Sequence, residues 1–291
     1  MTADAQTILR SWSPPIVVNL LLLLTLLIYA RGWIRLHRVF PNLFSVARLA
    51  AFIGGVFSLW LAIGSPLEAF DDVSLAMHMV QHLLLMLAAP LLLLLGEPLL
   101  PLLRGLPRRV VRRTVGPVLR YAPVQALGRF LTRPAFCWLV GGVALLGWHI
   151  PAAFELALRS DGWHEAEHIT FLATSLLFWW PVVMPFPSVA RWPRWSIPLY
   201  LFLGSLPGGA LGAFLIFSDR VIYPSYAVAP TLFRMTAFED QVVAGALMWL
   251  MGTVMYLIPA VLVTIQLLSP SAANEERYIH VRPPALSGSR S

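Results

Sequence analysis

Apolar residues fill long, nearly unbroken stretches of this chain, and polar residues collect between them. About 20 apolar residues in a helix cross a bilayer. Stretches of that length predict seven spans, at about 15–31, 46–64, 74–95, 134–152, 164–184, 196–217 and 239–268. In hydrocarbon every backbone polar group must be satisfied internally, which leaves a helical bundle as the spanning solution for such runs. The expected fold is therefore all-α: a polytopic membrane protein, one domain over residues 1–268, built as a bundle of seven transmembrane helices. The last run is long enough to tilt or to extend past the membrane. From Ser269 onward the sequence is polar and rich in Pro and Ser, so 269–291 is expected to be a disordered cytoplasmic tail.

Composition supports the membrane class. Of the 291 residues, 58% are hydrophobic and only 12% charged, against about one quarter charged in soluble domains; the mean hydropathy is +0.74. The first apolar run is followed by Arg31, Arg35 and Arg38, whereas a secretory signal carries its positive charges in front. This run is read as a retained helix. A single cysteine, Cys137, excludes an intramolecular disulfide and a multi-cysteine metal site. Its position twelve residues before His149 makes it a buried thiol at the far end of the fourth span.

Charge sets the expected orientation. The net +7 comes from arginine alone, because the chain has no lysine. With the N-terminus outside and the C-terminus inside, 17 of the 21 arginines fall on inner segments, as the positive-inside rule requires. Eleven of the 14 acids, among them Glu165, Glu167, Glu239 and Asp240, fall outside. The charge thus reports topology, and no nucleic-acid partner is expected. The inner loop at about 97–133 contains LPRRVVRRTVGPVLRY (106–121), a basic amphipathic stretch expected to lie at the interface against anionic lipid. Gly208 and Gly212 form a small-residue face suited to close helix packing.

Five of the seven histidines lie on or beside spans, and all five map to one depth. His78 and His82 open the third run, His149 closes the fourth, and His164 and His168 open the fifth. Each pair is spaced i,i+4, so its two rings share a helix face about 6 Å apart along the axis. A polar residue inside a membrane is a functional-site hypothesis by default, and imidazole suits copper, zinc, iron and nickel. Met77, Met79, Met86, Met248, Met251 and Met255 are nearby in sequence or on the seventh run; thioethers favour Cu(I), although each methionine can equally be packing. Glu239 and Asp240 open the seventh run, either as helix caps or beside a metal.

Five segments carry a family resemblance. HMVQHLLLMLAAPLLLLLGEPL (78–99), WHIPAAFELAL (148–158), WHEAEHITFLATSLLFWWPVV (163–183), YPSY (223–226) and EDQVVAGALMW (239–249) together resemble the seven-helix CtaG-type cytochrome c oxidase assembly family. The resemblance covers about residues 15–265 and implies a multi-pass protein of the bacterial plasma membrane that serves a haem-copper oxidase, through its copper centres. Its motif residues here are His78, His82, His149, His164, His168, Glu239, Asp240 and Gln241.

The expected function is a non-enzymatic assembly factor. It would take copper from an external carrier, hold it at His78, His82, His149, His164 and His168, and pass it to cytochrome c oxidase subunits. Met77, Glu165, Glu239, Asp240 and Gln241 are accessory candidates. Four alternatives remain open at this point: a copper permease, a metal-free assembly scaffold, a haem-binding oxidoreductase using His82 and His168, and a zinc protease. The last follows from the H-E-x-x-H spelling of His164, Glu165 and His168, which in soluble proteases holds zinc beside a general base.

Overall fold

The computed structural model describes residues 5–184, 192–229, 232 and 234–269; the expected tail from residue 270 on lies outside them. Among the described residues all regular structure is helical, with no strand. Seven longer helices carry the architecture: α1 (Ile16–His37), α2 (Val46–Ile63), α3 (Leu75–Leu95), α4 (Pro134–Trp148), α5 (Asp161–Val183), α6 (Ser196–Phe217) and α7 (Ala237–Leu268).

Five of these, α1, α2, α3, α6 and α7, are long and apolar enough to cross a membrane. The other two depart from the expected pattern for local reasons. Pro151 forces the residue before it out of the helical region; Ile150 is extended, with ψ 127°, and α4 stops at Trp148 rather than 152. Its 15 residues cover about 22 Å, less than the roughly 30 Å of a hydrocarbon core. Helix Ala122–Leu131 joins α4 at a 68° bend, and only if the two count together as one broken span does the number of candidate spans reach six. α5 has 23 residues and the needed length, but Asp161, His164, Glu165, Glu167 and His168 occupy five of its first eight positions. It is not among the helices that pass on apolarity.

α3 is the hub and packs against α2, α5 and α7. At its far end the phenol of Tyr29 on α1 donates to the Gly96 carbonyl at 2.7 Å while its ring stacks on Phe52 at 3.6 Å. α6 and α7 pair closely because both lack a side chain where they cross. A Cβ on Gly212 would sit 2.7 Å from the Gly245 carbonyl oxygen, and the reverse contact is equally short. Of the expected small face, Gly212 makes this backbone contact, whereas Gly208 faces Leu145. Cys137 is fully buried, its sulfur 3.1 Å from the Leu131 carbonyl, so the buried-thiol expectation agrees with the packing.

Candidate metal centre

The start of α3 is pinned from α7. Ser74 caps the helix by accepting from Met77 N–H. Asp240 adds a second cap in trans, accepting from the Ser74 hydroxyl at 2.8 Å, Leu75 N–H at 2.6 Å and Ala76 N–H at 3.4 Å. Gln81 then ties α3 to α2 by donating to the Ala62 carbonyl. One turn after these anchors, His78 and His82 project toward α5, both buried.

The expected convergence of histidines is present. Ring centroids of His78 and His82 lie 4.3 Å apart, His78 and His164 5.2 Å, His164 and His168 4.2 Å, and His82 and His168 5.8 Å. Four rings thus close a quadrilateral between α3 and α5. His149, from the end of α4, reaches its edge 5.7 Å from His82. Phe171, fully buried one turn below His168, packs against both His82 and His149.

A carboxylate completes the cluster. Glu167, with no exposed surface, places its two oxygens 3.8 Å from His78 Nε2 and 3.5 Å from His82 Nε2. Asp71, just before α3, lies 3.7 Å from His164 Nε2. Imidazole and carboxylate ligands sit about 2.0–2.2 Å from zinc, so two ligands of one such ion are at most about 4.4 Å apart. All three separations fall within that limit. The donor atoms of His78, His82 and Glu167 all lie within 4.8 Å of one another, as do those of Asp71, His78 and His164. Burial pushes the Asp71 carboxyl up to about 8, and the neighbouring charge of Asp72 adds to the rise.

Hydrogen bonds aim lone pairs inward. The His149 Nδ1 lies 2.7 Å from the Leu145 carbonyl, which can only accept; the proton is therefore on Nδ1 and Nε2 keeps its lone pair. That lone pair faces the Met79 sulfur at 3.5 Å. Tyr226 gives its single proton to the Asp71 carbonyl at 2.7 Å and so accepts from His78 Nδ1 at 3.2 Å. His78 Nε2 is thereby left as a lone-pair donor facing Glu167. Tyr223 donates to the His149 carbonyl at 3.0 Å. The segment bearing both tyrosines is held by Glu155, which accepts from the Ser225 N–H and hydroxyl. Such outer partners fix the tautomer and ring orientation of metal-binding histidines.

The decisive feature is what these atoms lack. His78 Nε2, His82 Nδ1 and Nε2, His164 Nε2, His168 Nε2 and both Glu167 oxygens are buried without a hydrogen-bond partner among the described residues. A buried polar group left unsatisfied costs about 1–3 kcal/mol, more when charged. A bound cation or ordered water would satisfy all seven, and imidazoles plus a carboxylate are a donor set that could hold a transition-metal ion. The cluster also borders a cavity of about 40 Å³ lined by His82, His149, Met79, Met86 and Met248. It is too small for a tetrapyrrole, and its soft thioethers adjoin the imidazoles.

Other expected residues fall elsewhere. Glu165 is exposed, so the glutamate of the H-E-x-x-H spelling points away from the donor atoms, and Glu167 takes the inward position instead. Glu239 is exposed and forms a capping box with Thr236; Asp240 is the cap of α3 described above. Both therefore take the capping alternative. Gln241 accepts from Ile222 N–H and donates to the Leu215 and Arg220 carbonyls, bracing the connection from α6. Met77 is half-buried, while Met79 is the methionine in contact with a ring.

Sequence reasoning passed over Asp71, Tyr223 and Tyr226 as site residues, and it paired Glu167 with Glu165 as groups that orient imidazoles or attract cations rather than setting it among the inward donors. A signal for Glu167 was available: His164, Glu167, His168, Phe171 and Ser175 form one i,i+3/i+4 stripe, and Glu165 lies off it.

Comparisons with known proteins find distant relatives and one family. An uncharacterized protein of Mycobacterium leprae is 25% identical over 255 residues, 86% of this chain and 38% of that protein. Uncharacterized proteins of Mycobacterium bovis and Mycobacterium tuberculosis are each 24% identical over 261 residues, 86% of this chain and 37% of theirs. The chain thus spans less than two fifths of these relatives. No solved structure matches. The family profile of the cytochrome c oxidase caa3 assembly factors, by contrast, matches residues 27–269, which takes in every helix of the centre, and the chain belongs to that family.

Proposed function

We propose that this chain handles copper as cargo during assembly of a haem-copper oxidase, holding the ion between α3 and α5. The single observation that carries this reading is the set of seven buried, partnerless donor atoms on His78, His82, His164, His168 and Glu167. His149 and the thioethers of Met79, Met86 and Met248 supply softer donors beside it, which favours copper over zinc. Asp71 and half-buried His164 form the side from which the ion enters.

In this reading α4 and α5 also span the membrane, giving seven spans with the N-terminus outside and the C-terminus inside. The arginine distribution supports that orientation and sets the histidine cluster toward the outer face of the bacterial plasma membrane. An external carrier delivers copper there. Transfer to an oxidase subunit is a ligand exchange at unchanged oxidation state: acceptor ligands replace the imidazoles one at a time, and no bond other than metal–ligand bonds breaks. Neutral imidazoles are required, so acid weakens binding as they protonate. The basic segment 106–121 rests against anionic head groups on the inner side.

The test is metal analysis of detergent-purified protein, wild type against His78→Ala/His82→Ala, with oxidase copper content measured in cells carrying each. The double variant is expected to insert normally, to lose bound copper and to leave the oxidase copper-deficient. Full copper and full oxidase activity in that variant would overturn the assignment.

A further inference from the structure

The opposite end of the bundle holds a second feature that the copper reading leaves unused. A concave cavity of about 1,090 Å³ opens beside the last turns of α1. Its lining comprises six arginines, Arg31, Arg35, Arg104, Arg108, Arg112 and Arg120, and eight apolar residues, with no acid. Among the described residues none of the six arginines forms an ion pair with a carboxylate. Ligand pockets run about 300–1,000 Å³, so the space suits a large amphiphile rather than a single small ion.

One wall is rigidly built. A Cβ on Gly32 of α1 would overlap the Pro101 carbonyl, and one on Gly105 would overlap the Ile28 carbonyl. The backbones of α1 and helix Leu99–Gly105 therefore touch, and only glycine permits the approach at either position. Arg35 bolts the same two elements together by donating to the Arg104 carbonyl at 2.7 Å. The apolar part of the cavity, including Leu36, Val39, Phe40, Leu100 and Leu103, continues onto the exposed apolar face of α1. A ligand bound here would have its charged part among guanidiniums and its apolar part running toward bilayer hydrocarbon.

We propose that this cavity binds one anionic phospholipid, with its phosphodiester head group held by Arg104, Arg108 and Arg112 and its acyl chains along the apolar wall. Guanidinium forks match phosphate oxygens bidentately, and basic pockets between membrane helices are suited to acidic lipid head groups. The site differs from general attraction of the basic segment to a charged surface, because it is concave and sets guanidiniums beside an apolar wall. It stands apart from the copper reading, and far-ultraviolet circular dichroism serves as an independent sign that a variant is folded.

The experiment uses the full chain, stripped of lipid in detergent and titrated with dioleoyl phosphatidylglycerol, dioleoyl phosphatidylcholine or inorganic phosphate. Bound lipid is read by native mass spectrometry. The wild type is expected to retain a single phosphatidylglycerol and to discriminate against phosphatidylcholine. Arg104→Gln/Arg108→Gln/Arg112→Gln should weaken that binding on the order of 100-fold. Arg109→Gln/Arg113→Gln/Arg129→Gln removes equal charge outside the cavity and should leave it within about twofold. Equal retention of the two lipids by the wild type, or equal loss in both triple variants, would overturn the site. Displacement of phosphatidylglycerol by millimolar inorganic phosphate would do so too, since it would make free phosphate the ligand.

Discussion

The two ends of this bundle treat polar groups in opposite ways. At the histidine end, seven donor atoms are buried and partnerless, while backbone carbonyls, tyrosines and an acid in trans hold their elements in place. At the arginine end, six guanidiniums are exposed around an apolar hollow. Water can satisfy an exposed arginine, so its presence costs the fold little. His78 and Glu167 have no exposed surface, so a bound cation would offset the cost of burying their unpaired atoms. In the proposed reading the first end takes an ion stripped of its hydration, and the second a headgroup that stays at the interface.

The sharpest way to break this contrast is to remove the buried donors. His78→Ala/His82→Ala should reduce copper in the purified protein to background, measured by mass spectrometry, with far-ultraviolet circular dichroism unchanged. Next comes the choice between two glutamates two residues apart. Glu167→Gln should weaken copper binding about 10–100-fold, while exposed Glu165→Gln should stay within about twofold. Competition against a chelator of known affinity separates the two outcomes, and a larger loss at Glu165 would restore the protease-like reading of the spelling. Tyr226→Phe keeps the ring but no longer accepts from His78 Nδ1, so a loss of about tenfold is expected in the same assay. Asp240→Ala acts on stability: it removes the trans cap of α3 and should cost about 1–2 kcal/mol in detergent unfolding, with copper stoichiometry retained once folded. Smallest of all, Cys137→Ser should leave copper binding unchanged, because its sulfur lies against the Leu131 carbonyl and not near the rings.

Much of the histidine end was legible because helical spacing is local. Two i,i+4 pairs and a fifth ring at matching depth were enough to foresee that His78, His82, His149, His164 and His168 converge. Glu165 drew attention through a familiar spelling, although helix phase puts Glu167 on the inward face and Glu165 outside. Asp71, Tyr223 and Tyr226 sit on connections between helices, where no periodicity indicates which way a side chain turns. Asp240 looked equally suited to a cap or a ligand, and only the packing of α7 against the start of α3 decides for the cap. The α4 boundary moved for a local reason as well: Pro151 ends the helix before the apolar run does. The arginine hollow was visible only as a basic stretch, because its second wall depends on α1 meeting helix Leu99–Gly105 through Gly32 and Gly105.

The most direct test of the central claim is the copper content of the purified wild-type protein after anaerobic Cu(I) loading and desalting, with an absorbance scan for haem on the same sample. Near-stoichiometric copper that is lost in His78→Ala/His82→Ala, with no haem band, is the predicted result. Protein that retains no copper under these conditions would contradict it and leave the buried histidines serving a metal-free scaffold.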